Sequence, residues 1–387
     1  MKKKLAILGA SYMQLPLIDE ARNLGIETHV FAWEEGAVAK DICDHFYPIS
    51  ITEKEQILEK CEAAQIHGIT SIGSDLAMPA VNYIANKMNL TGNSLDCTVV
   101  TTNKFAMRQR LSEHNLPCPR FKKFISHHHN IAEDFRVPFV IKPTDRSGSR
   151  GVTKINAREE INEALGRALT ESMADEAIIE EFIDGKEISV EMVSWQGKHH
   201  FITCTDKVNT GEPYFVEIEQ HVPAKLHSAL ENRIIALVKE ALTVLGVEYG
   251  ASHSELLITD DEEIFIVEIG ARMGGDNIGS DLVKLCTGYD FVKGVIEIAL
   301  GEFTIPQIKQ MRHAGICFLT PAAGRVNRID NHASDFKEIV RSCILVEVGD
   351  IIKFPITDST QRSGFIIYAN DKPIIIDPGD VIKIITG

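Results

Sequence analysis

The 387-residue chain lacks the marks of several protein classes. No eighteen apolar residues run together, so no membrane-spanning helix is expected. The opening Met1-Lys-Lys-Lys4 is followed by only six apolar or small residues before Ser11, too few for a signal-peptide core. Positive charge is the scarcer sign, with 40 Lys and Arg against 55 Asp and Glu, a net charge of −15 and a pI near 5.4. That balance argues against nucleic acid or an anionic membrane as the main partner. The eight cysteines, at 43, 61, 97, 118, 204, 286, 317 and 343, form no CxxC and no ligand-like spacing. Free thiols in a reducing cytosol are expected, without disulfides or structural zinc. After Gly9 come Ala10-Ser11-Tyr12-Met13, so the glycine fingerprint of a dinucleotide-binding loop is missing and a dehydrogenase is disfavoured. No internal repeat or low-complexity tract occurs. What remains is a soluble, cytoplasmic chain with an ordinary hydrophobic fraction of 44%, long enough for two or three domains.

Against these absences stands one stretch with a chemical conflict, Gly250 to Arg272. Two largely apolar runs, Leu256 to Ile258 and Ile264 to Ile269, flank the acidic residues Asp260 to Glu263. A hairpin with those four residues as its loop sets Thr259 opposite Ile264, Leu257 opposite Ile266 and Glu255 opposite Glu268. Period-two alternation then puts His253, Glu255 and Leu257 on one face with Ile264, Ile266, Glu268, Gly270 and Arg272. Like charges facing across a ladder destabilise it. A hard divalent cation removes the conflict, and Mg²⁺ held by one or two carboxylates completes its shell with water and phosphate oxygens.

The chain opens as βαβ: an apolar strand ending near Gly9, a helix over Leu15 to Leu24, and a strand over Thr28 to Ala32. Residues 1–95 read as a small doubly wound domain. A helix follows, with Lys104 in its first turn, ended by Pro117 and Pro119. Lys142 lies on the strand Phe139 to Pro143, just before the turn Thr144-Asp-Arg-Ser-Gly-Ser-Arg-Gly151. Gly148 and Gly151 let such a turn aim backbone N–H groups at an anion, although alone it is equally a surface loop. A lysine alternating into an apolar strand needs a partner, and a phosphate serves. Strands Ala177 to Phe182 and Glu187 to Val193 read as a hairpin turning at Asp184-Gly185. The first can offer main-chain groups to an adenine edge, and Glu187 can accept from ribose hydroxyls. Lys207 and His221 lie on a further strand pair, and a periodic helix spans Leu226 to Leu245. His127-His-His129 resembles a metal tract but is expected in an exposed polar loop.

The order of these pieces resembles the ATP-grasp superfamily of carboxylate-amine ligases, most closely its bacterial L-amino acid ligase branch, over nearly the whole chain. The resemblance implies an α/β and α+β multidomain ATP-grasp fold: a doubly wound pre-grasp domain (1–95), a linking helix (96–120), a lid subdomain (121–190), a metal-binding subdomain (191–310) and a C-terminal antiparallel cap (311–387). It implies that Lys104 and Lys142 contact ATP phosphates and that Ser147, Gly148, Ser149 and Gly151 form the lid loop. Glu180, Glu181 and Ile183 match the adenine-contacting stretch, Glu187 the ribose clamp, and Lys207 joins the nucleotide side. Glu255 and Glu268 match the magnesium (or manganese) carboxylates. Arg272 and Lys142 match the residues acting on the transferring phosphate, and His221, in Glu219-Gln-His-Val-Pro223, the acceptor pocket. One departure is Gly270, where many members carry Asn; water, His253 or Asp276 are the candidates to replace that ligand.

The implied reaction converts a carboxylate and ATP to an acyl-phosphate and ADP, and an amine then displaces phosphate. Small-molecule carboxylate and amine substrates and a homodimer are the expected partners. A carboxyphosphate-forming enzyme of the biotin carboxylase or purine-biosynthesis kind is the nearest alternative. It is disfavoured by Met273-Gly-Gly-Asp-Asn277, where a Gln-Val-Glu-His-like run is usual, and by the lack of a biotinylation site. A non-catalytic ATP sensor is disfavoured because both glutamates, both lysines and Arg272 are present.

Overall fold

The structure is a computed structural model that describes residues 2–125 and 134–387. The His127 to His129 tract lies outside the described residues.

The N-terminal layer is a parallel sheet. The run β1 (Lys4–Leu8) is apolar enough to be covered on both faces, and Leu5, Ala6, Ile7 and Leu8 are fully buried. After it come α1 (Leu15–Asn23), β2 (Glu27–Phe31), β3 (His45–Tyr47), α2 (Lys54–Ala64), β4 (Gly68–Thr70) and α3 (Met78–Lys87), with strand order β3-β2-β1-β4. Two capped helices, α4 (Leu95–Thr102) and α5 (Lys104–Glu113), lead out of this layer. Asn103 starts the second by accepting from the Ala106 N–H at 3.0 Å. The expected single linking helix is thus two.

A second, antiparallel sheet comprises β5 (Phe121–Ile125), β6 (Phe139–Pro143), β7 (Thr153–Ile155) and, after α6 (Ile161–Glu171), β8 (Glu176–Glu181), in the order β5-β8-β6-β7. The next strand, β9 (Lys186–Trp195), belongs to a different sheet. Asp184-Gly185 is therefore a crossing between sheets and not a hairpin turn. Gly185 passes so close to the end of the later strand at Ile258 that a Cβ there would lie 2.6 Å from the Ile258 carbonyl oxygen.

The largest sheet continues with β10 (Lys198–Asn209), β11 (Glu217–Val222), then, beyond α7 (Ser228–Val244), β12 (Gly250–Ile258) and β13 (Ile264–Gly270). A π-turn at Ile278–Leu282 leads to α8 (Val283–Thr287) and α9 (Phe291–Ala299). The C-terminal region adds β14 (His313–Phe318), β15 (Gly324–Asn331), β16 (Ile339–Ile344), β17 (Ile351–Ile352), β18 (Gly364–Asn370), α10 (Pro378–Val381) and β19 (Ile382–Thr386). Sheet order is β13-β12-β9-β10-β11-β14-β18-β16, so three strands of the expected cap extend the central sheet. The remaining cap strands, β17-β15-β19, form a separate three-stranded sheet. The expected boundary at residue 190 falls inside β9, and Pro378 opens the short α10.

Helix α7 buries Leu230, Ile234, Val238, Ala241 and Leu242, the stripe of a 3.6-residue repeat, against Ile188, Leu256, Ile264 and Ile266. Each large apolar side chain buried there contributes about 1.5–3 kcal/mol. That packing fixes one face of β9, β12 and β13, leaving the other face free to carry charge.

Candidate functional site

The glutamates of β12 and β13 do face each other, but by a different route from the expected one. Ile258 pairs with Ile264, so the loop is one residue longer than Asp260 to Glu263. Thr259 N–H closes it onto the Glu263 carbonyl at 3.0 Å, with Glu262 in the left-handed region at φ 59°. The register then shifts between Leu256 and Glu255, leaving Val267 as an extra, bulged residue, and Glu255 returns opposite Glu268. The bulge also reverses the alternation. Ile264 and Ile266 point into the core, and the expectation that they share the glutamates' face is corrected.

Charges converge on that pair from separate strands and helices. Lys104 donates to Glu268 at 2.8 Å and to the Arg146 carbonyl at 2.6 Å. The buried Lys207 ammonium lies 2.6 Å from Glu255, 2.6 Å from Glu217 and 3.1 Å from Glu187. His253 sits between Glu191, at 2.5 Å, and Glu255, at 3.3 Å. Burial opposes every one of these charges. The surrounding carboxylates nevertheless hold His253 protonated up to about 9 and push Lys207 further up. Against the same burial, Lys207 and His253 keep Glu255 well below the usual carboxylate range. Burial and the neighbouring Glu255 raise the pKa of Glu217, although Lys207 opposes them.

Arg272 is held by two bonds of 2.7 Å to Asp75, just beyond β4 in the N-terminal layer. The pair fills the space above Gly270, where a Cβ would lie 2.9 Å from Asp75 Oδ1 and 3.2 Å from the Arg272 guanidinium. The side chain expected at that position in many ATP-grasp members has no room. Asp276 is likewise held by Arg362, at 2.7 and 2.8 Å, and Gln220 bridges from Glu217 to Asp276 at 2.5 and 3.4 Å.

His221 does not join this group. A register shift near Val208 and Asn209 puts Glu217 and Gln220 together, whereas His221 pairs with Tyr368 at 2.7 Å and Glu219 at 2.9 Å. Tyr368 packs with Cys317 and Val381, on the face away from Val222 and Ile278. The acceptor-pocket assignment of His221 is corrected accordingly.

On the lid side, Gly148, Ser149 and Gly151 all take positive φ, at 70°, 58° and 71°. Ser149 donates to the Phe215 carbonyl at 3.1 Å, the Ser147 carbonyl accepts from Arg150 at 3.1 Å, and the Gly148 carbonyl accepts from Ser359 N–H at 3.3 Å. Lys142 already has a protein partner, Glu180, at 2.6 Å, and burial pushes its pKa down. The Glu180 side chain therefore points inward and not toward a base, and Glu181 is paired with Arg120. Strand β8 is bonded on both edges, to β5 and β6. Free main-chain groups for an adenine edge can begin only beyond it, at Phe182 and Ile183, which correct the expected exposure of Ala177 to Glu181. Glu187 accepts from Asn209 at 3.3 Å besides meeting Lys207.

The donor set suits a hard cation. Carboxylate oxygens of Glu187, Glu217 and Glu255 all lie within 4.8 Å of one another, and Glu268 opposes Glu255. Sequence reasoning missed Asp75, Arg108, Glu191, Glu217, Gln220 and Arg362. Arg108 had a signal, being one turn after Lys104 on the same helix face. The others are joined only through the tertiary fold.

Comparison with known proteins places this geometry in context. Residues 135–281 match the family model described as ATP-grasp domain. The uncharacterized protein y4rH of Sinorhizobium fredii is 27% identical over 243 residues, 61% of this chain and 49% of that protein, so the match spans about half its length. A D-alanine–D-alanine ligase of Francisella philomiragia is 27% identical over 221 residues, covering 54% of this chain and 71% of the ligase. Among solved structures, an L-amino acid ligase from Bacillus licheniformis superposes with a TM-score of 0.82 at 25% identity, over 96% of this chain and 94% of that one.

Proposed function

We propose that this chain, whose residues 135–281 match the ATP-grasp domain model, is a carboxylate-amine ligase that activates a small carboxylic acid with ATP as an acyl-phosphate and transfers the acyl group to an amine. ADP and phosphate are released. The observation that carries this reading is the Glu255–Glu268 pair facing at the bulge, with Lys104, Lys207 and Arg272 gathered about it. Two relatives are named for joining amino acids, which favours amino acids as both substrates.

In this reading Glu255 and Glu268 hold Mg²⁺ or Mn²⁺, with Glu187 near enough to assist. The ion supplies neutralisation of phosphate charge. Lys104 and Lys142 take the phosphate oxygens, and the loop Ser147, Gly148, Ser149 and Gly151 offers backbone N–H groups over them. Phe182 and Ile183 meet the adenine edge. Arg272 stabilises the transferring phosphoryl group once a substrate carboxylate competes with Asp75 for it. The lid excludes water from the acyl-phosphate, whose hydrolysis is the wasteful alternative. Glu217, whose pKa burial raises, is suited to take the proton from the attacking amine. Residues 1–95, 96–120, 121–190, 191–310 and 311–387 are the proposed functional divisions, although β9 bridges two of them. A cytoplasmic homodimer is the proposed working form.

The test is an ADP-release screen over pairs of amino acids and other carboxylates and amines, with mass-spectrometric identification of the product. An amide product dependent on Mg²⁺ supports the reading, and its loss in Glu268→Gln with an unchanged circular-dichroism spectrum places the metal carboxylate. ADP release that requires bicarbonate and no other carboxylate overturns it.

A further inference from the structure

Lys104 has a neighbour on the same face of α5 whose side chain is wholly buried. The Arg108 guanidinium is 0% exposed, with Nε 2.9 Å from Glu180 Oε1 and Nη2 donating to the Val267 carbonyl at the bulge. The second Glu180 oxygen, Oε2, meets Lys142 Nζ at 2.6 Å. Two cations thus share one buried carboxylate, and the group carries a surplus positive charge. A Lys142–Glu180 pair is neutral without help, and adding a buried guanidinium to it is unfavourable unless the surplus is used.

We propose that Arg108 is the standing counter-ion of Glu180, a positioning residue that lets Lys142 leave this carboxylate for a nucleotide phosphate. This rests on the reading that Lys142 contacts the triphosphate. In the structure Lys142 is engaged with Glu180, so binding requires an exchange of partners. Were Lys142 the sole partner, its departure would leave an unpaired carboxylate in the interior, and the unfavourable charge would be subtracted from nucleotide affinity. Because Arg108 holds Oε1, Glu180 keeps one ion pair throughout, and Lys142 moves from one anion to another. The planar guanidinium can serve Glu180 and the Val267 carbonyl together, which one lysine ammonium in the same place does less well. The same side chain therefore ties β8, which carries Glu180, to β13, which carries Glu268.

The experiment measures equilibrium binding of MgATP and of adenosine to the full chain and to Arg108→Met, Glu180→Gln and the double variant, with a urea midpoint for each. Arg108→Met is expected to weaken MgATP roughly 10- to 100-fold, equivalent to about 1.4–2.8 kcal/mol, while adenosine, which has no phosphate, changes less than about threefold. The double variant recovers most of the loss, since no carboxylate remains to be orphaned. MgATP binding by Arg108→Met at the native level overturns the inference, as does a double variant no better than the single one. If Arg108→Met does not fold, the Glu180→Gln background carries the test: removing Arg108 there leaves MgATP affinity within about threefold, and a tenfold loss overturns the proposal. A native chain that binds no MgATP overturns instead the functional reading on which this one rests.

Discussion

Replacing Lys207 by Met isolates the charge balance of the candidate metal site. The ammonium touches Glu217, Glu255 and Glu187 at 2.6, 2.6 and 3.1 Å, and it is almost wholly buried. Oxygens of those three residues come within 4.8 Å of one another. Two unit charges at such a distance repel by about 3–4 kcal/mol at an effective dielectric constant near 20. Without the ammonium, part of that repulsion is relieved by protonation of Glu217, whose pKa burial already raises. Breaking a buried ion pair from one side destabilises by about 3–5 kcal/mol, and that is the expected loss for Lys207→Met at pH 8 without metal. The variant's folded state then binds protons that the unfolded state at the same pH does not, so its deficit shrinks as pH falls toward 5. Mg²⁺ without nucleotide has a second effect: at a hundredfold excess over its dissociation constant a cation that binds only the folded state adds about 2.7 kcal/mol. The gain is larger in the variant than in the native chain, where Lys207 competes for the same oxygens. Urea midpoints at pH 8 and pH 5.5, each with and without millimolar Mg²⁺, supply the four comparisons. Native stability of Lys207→Met at pH 8 without metal refutes the reasoning, and so does an equal Mg²⁺ gain in both proteins.

Other outcomes follow from single contacts. His253, held protonated up to about 9 by Glu191 despite burial, titrates near 6.5 when unfolded. Its stabilisation is complete below about 6.5 and is lost as pH rises through about 9. A decline on the order of 3 kcal/mol over that window is expected in denaturation curves, and His253→Gln flattens it. Gly270→Ala brings a Cβ within 2.9 Å of Asp75 Oδ1 and pushes the Asp75–Arg272 pair apart. It destabilises by about 1–3 kcal/mol and lowers turnover, whereas an unchanged urea midpoint contradicts the packing account. Arg362→Met leaves Asp276 without its two bonds and destabilises by about 3–5 kcal/mol. Adding Asp276→Asn to it recovers more than half of that loss in the same measurement, and no recovery means that Arg362 acts through other contacts.

The parts of this site that were legible in the sequence are those written in local pattern. Alternation and apolar runs marked β12 and β13, the stripe of α7 and the opening βαβ unit, because each is set by neighbours within a few residues. The pairing of Glu255 with Glu268 was reached although the register beside the loop was off by one. The loop takes one extra residue, Thr259, from the β12 side and the bulge takes one, Val267, from β13, so the two displacements cancel beyond Leu256. Bulges carry no compositional mark, so the irregularity near Asn209 that sets Glu217 beside Gln220 was equally hidden, and His221, assigned from the resemblance, lies one residue along on the opposite face. Merging of the C-terminal strands into the central sheet was also invisible, because pairing partners across a sheet leave no periodic trace.

Ion-pair partners show the same limit from the other side. A lone lysine in the apolar strand β6 demands an anion, and local pattern alone does not say whether that anion is a phosphate or a carboxylate. What the local pattern does not contain is that Glu180 supplies an anion from β8 and that Arg108 then shares it. Lys104 and Glu268 are 164 residues apart, and Arg272 and Asp75 are 197 apart, so their contacts exist only once the layers are assembled. Each of the residues read as phosphate-binding, Lys104, Lys142 and Arg272, is paired with a carboxylate from a different element. Each of these three cations therefore has a protein partner before any substrate arrives. On the proposed reading, nucleotide binding is an exchange of anionic partners by these cations, and its affinity is governed as much by the carboxylates left behind as by the phosphates gained.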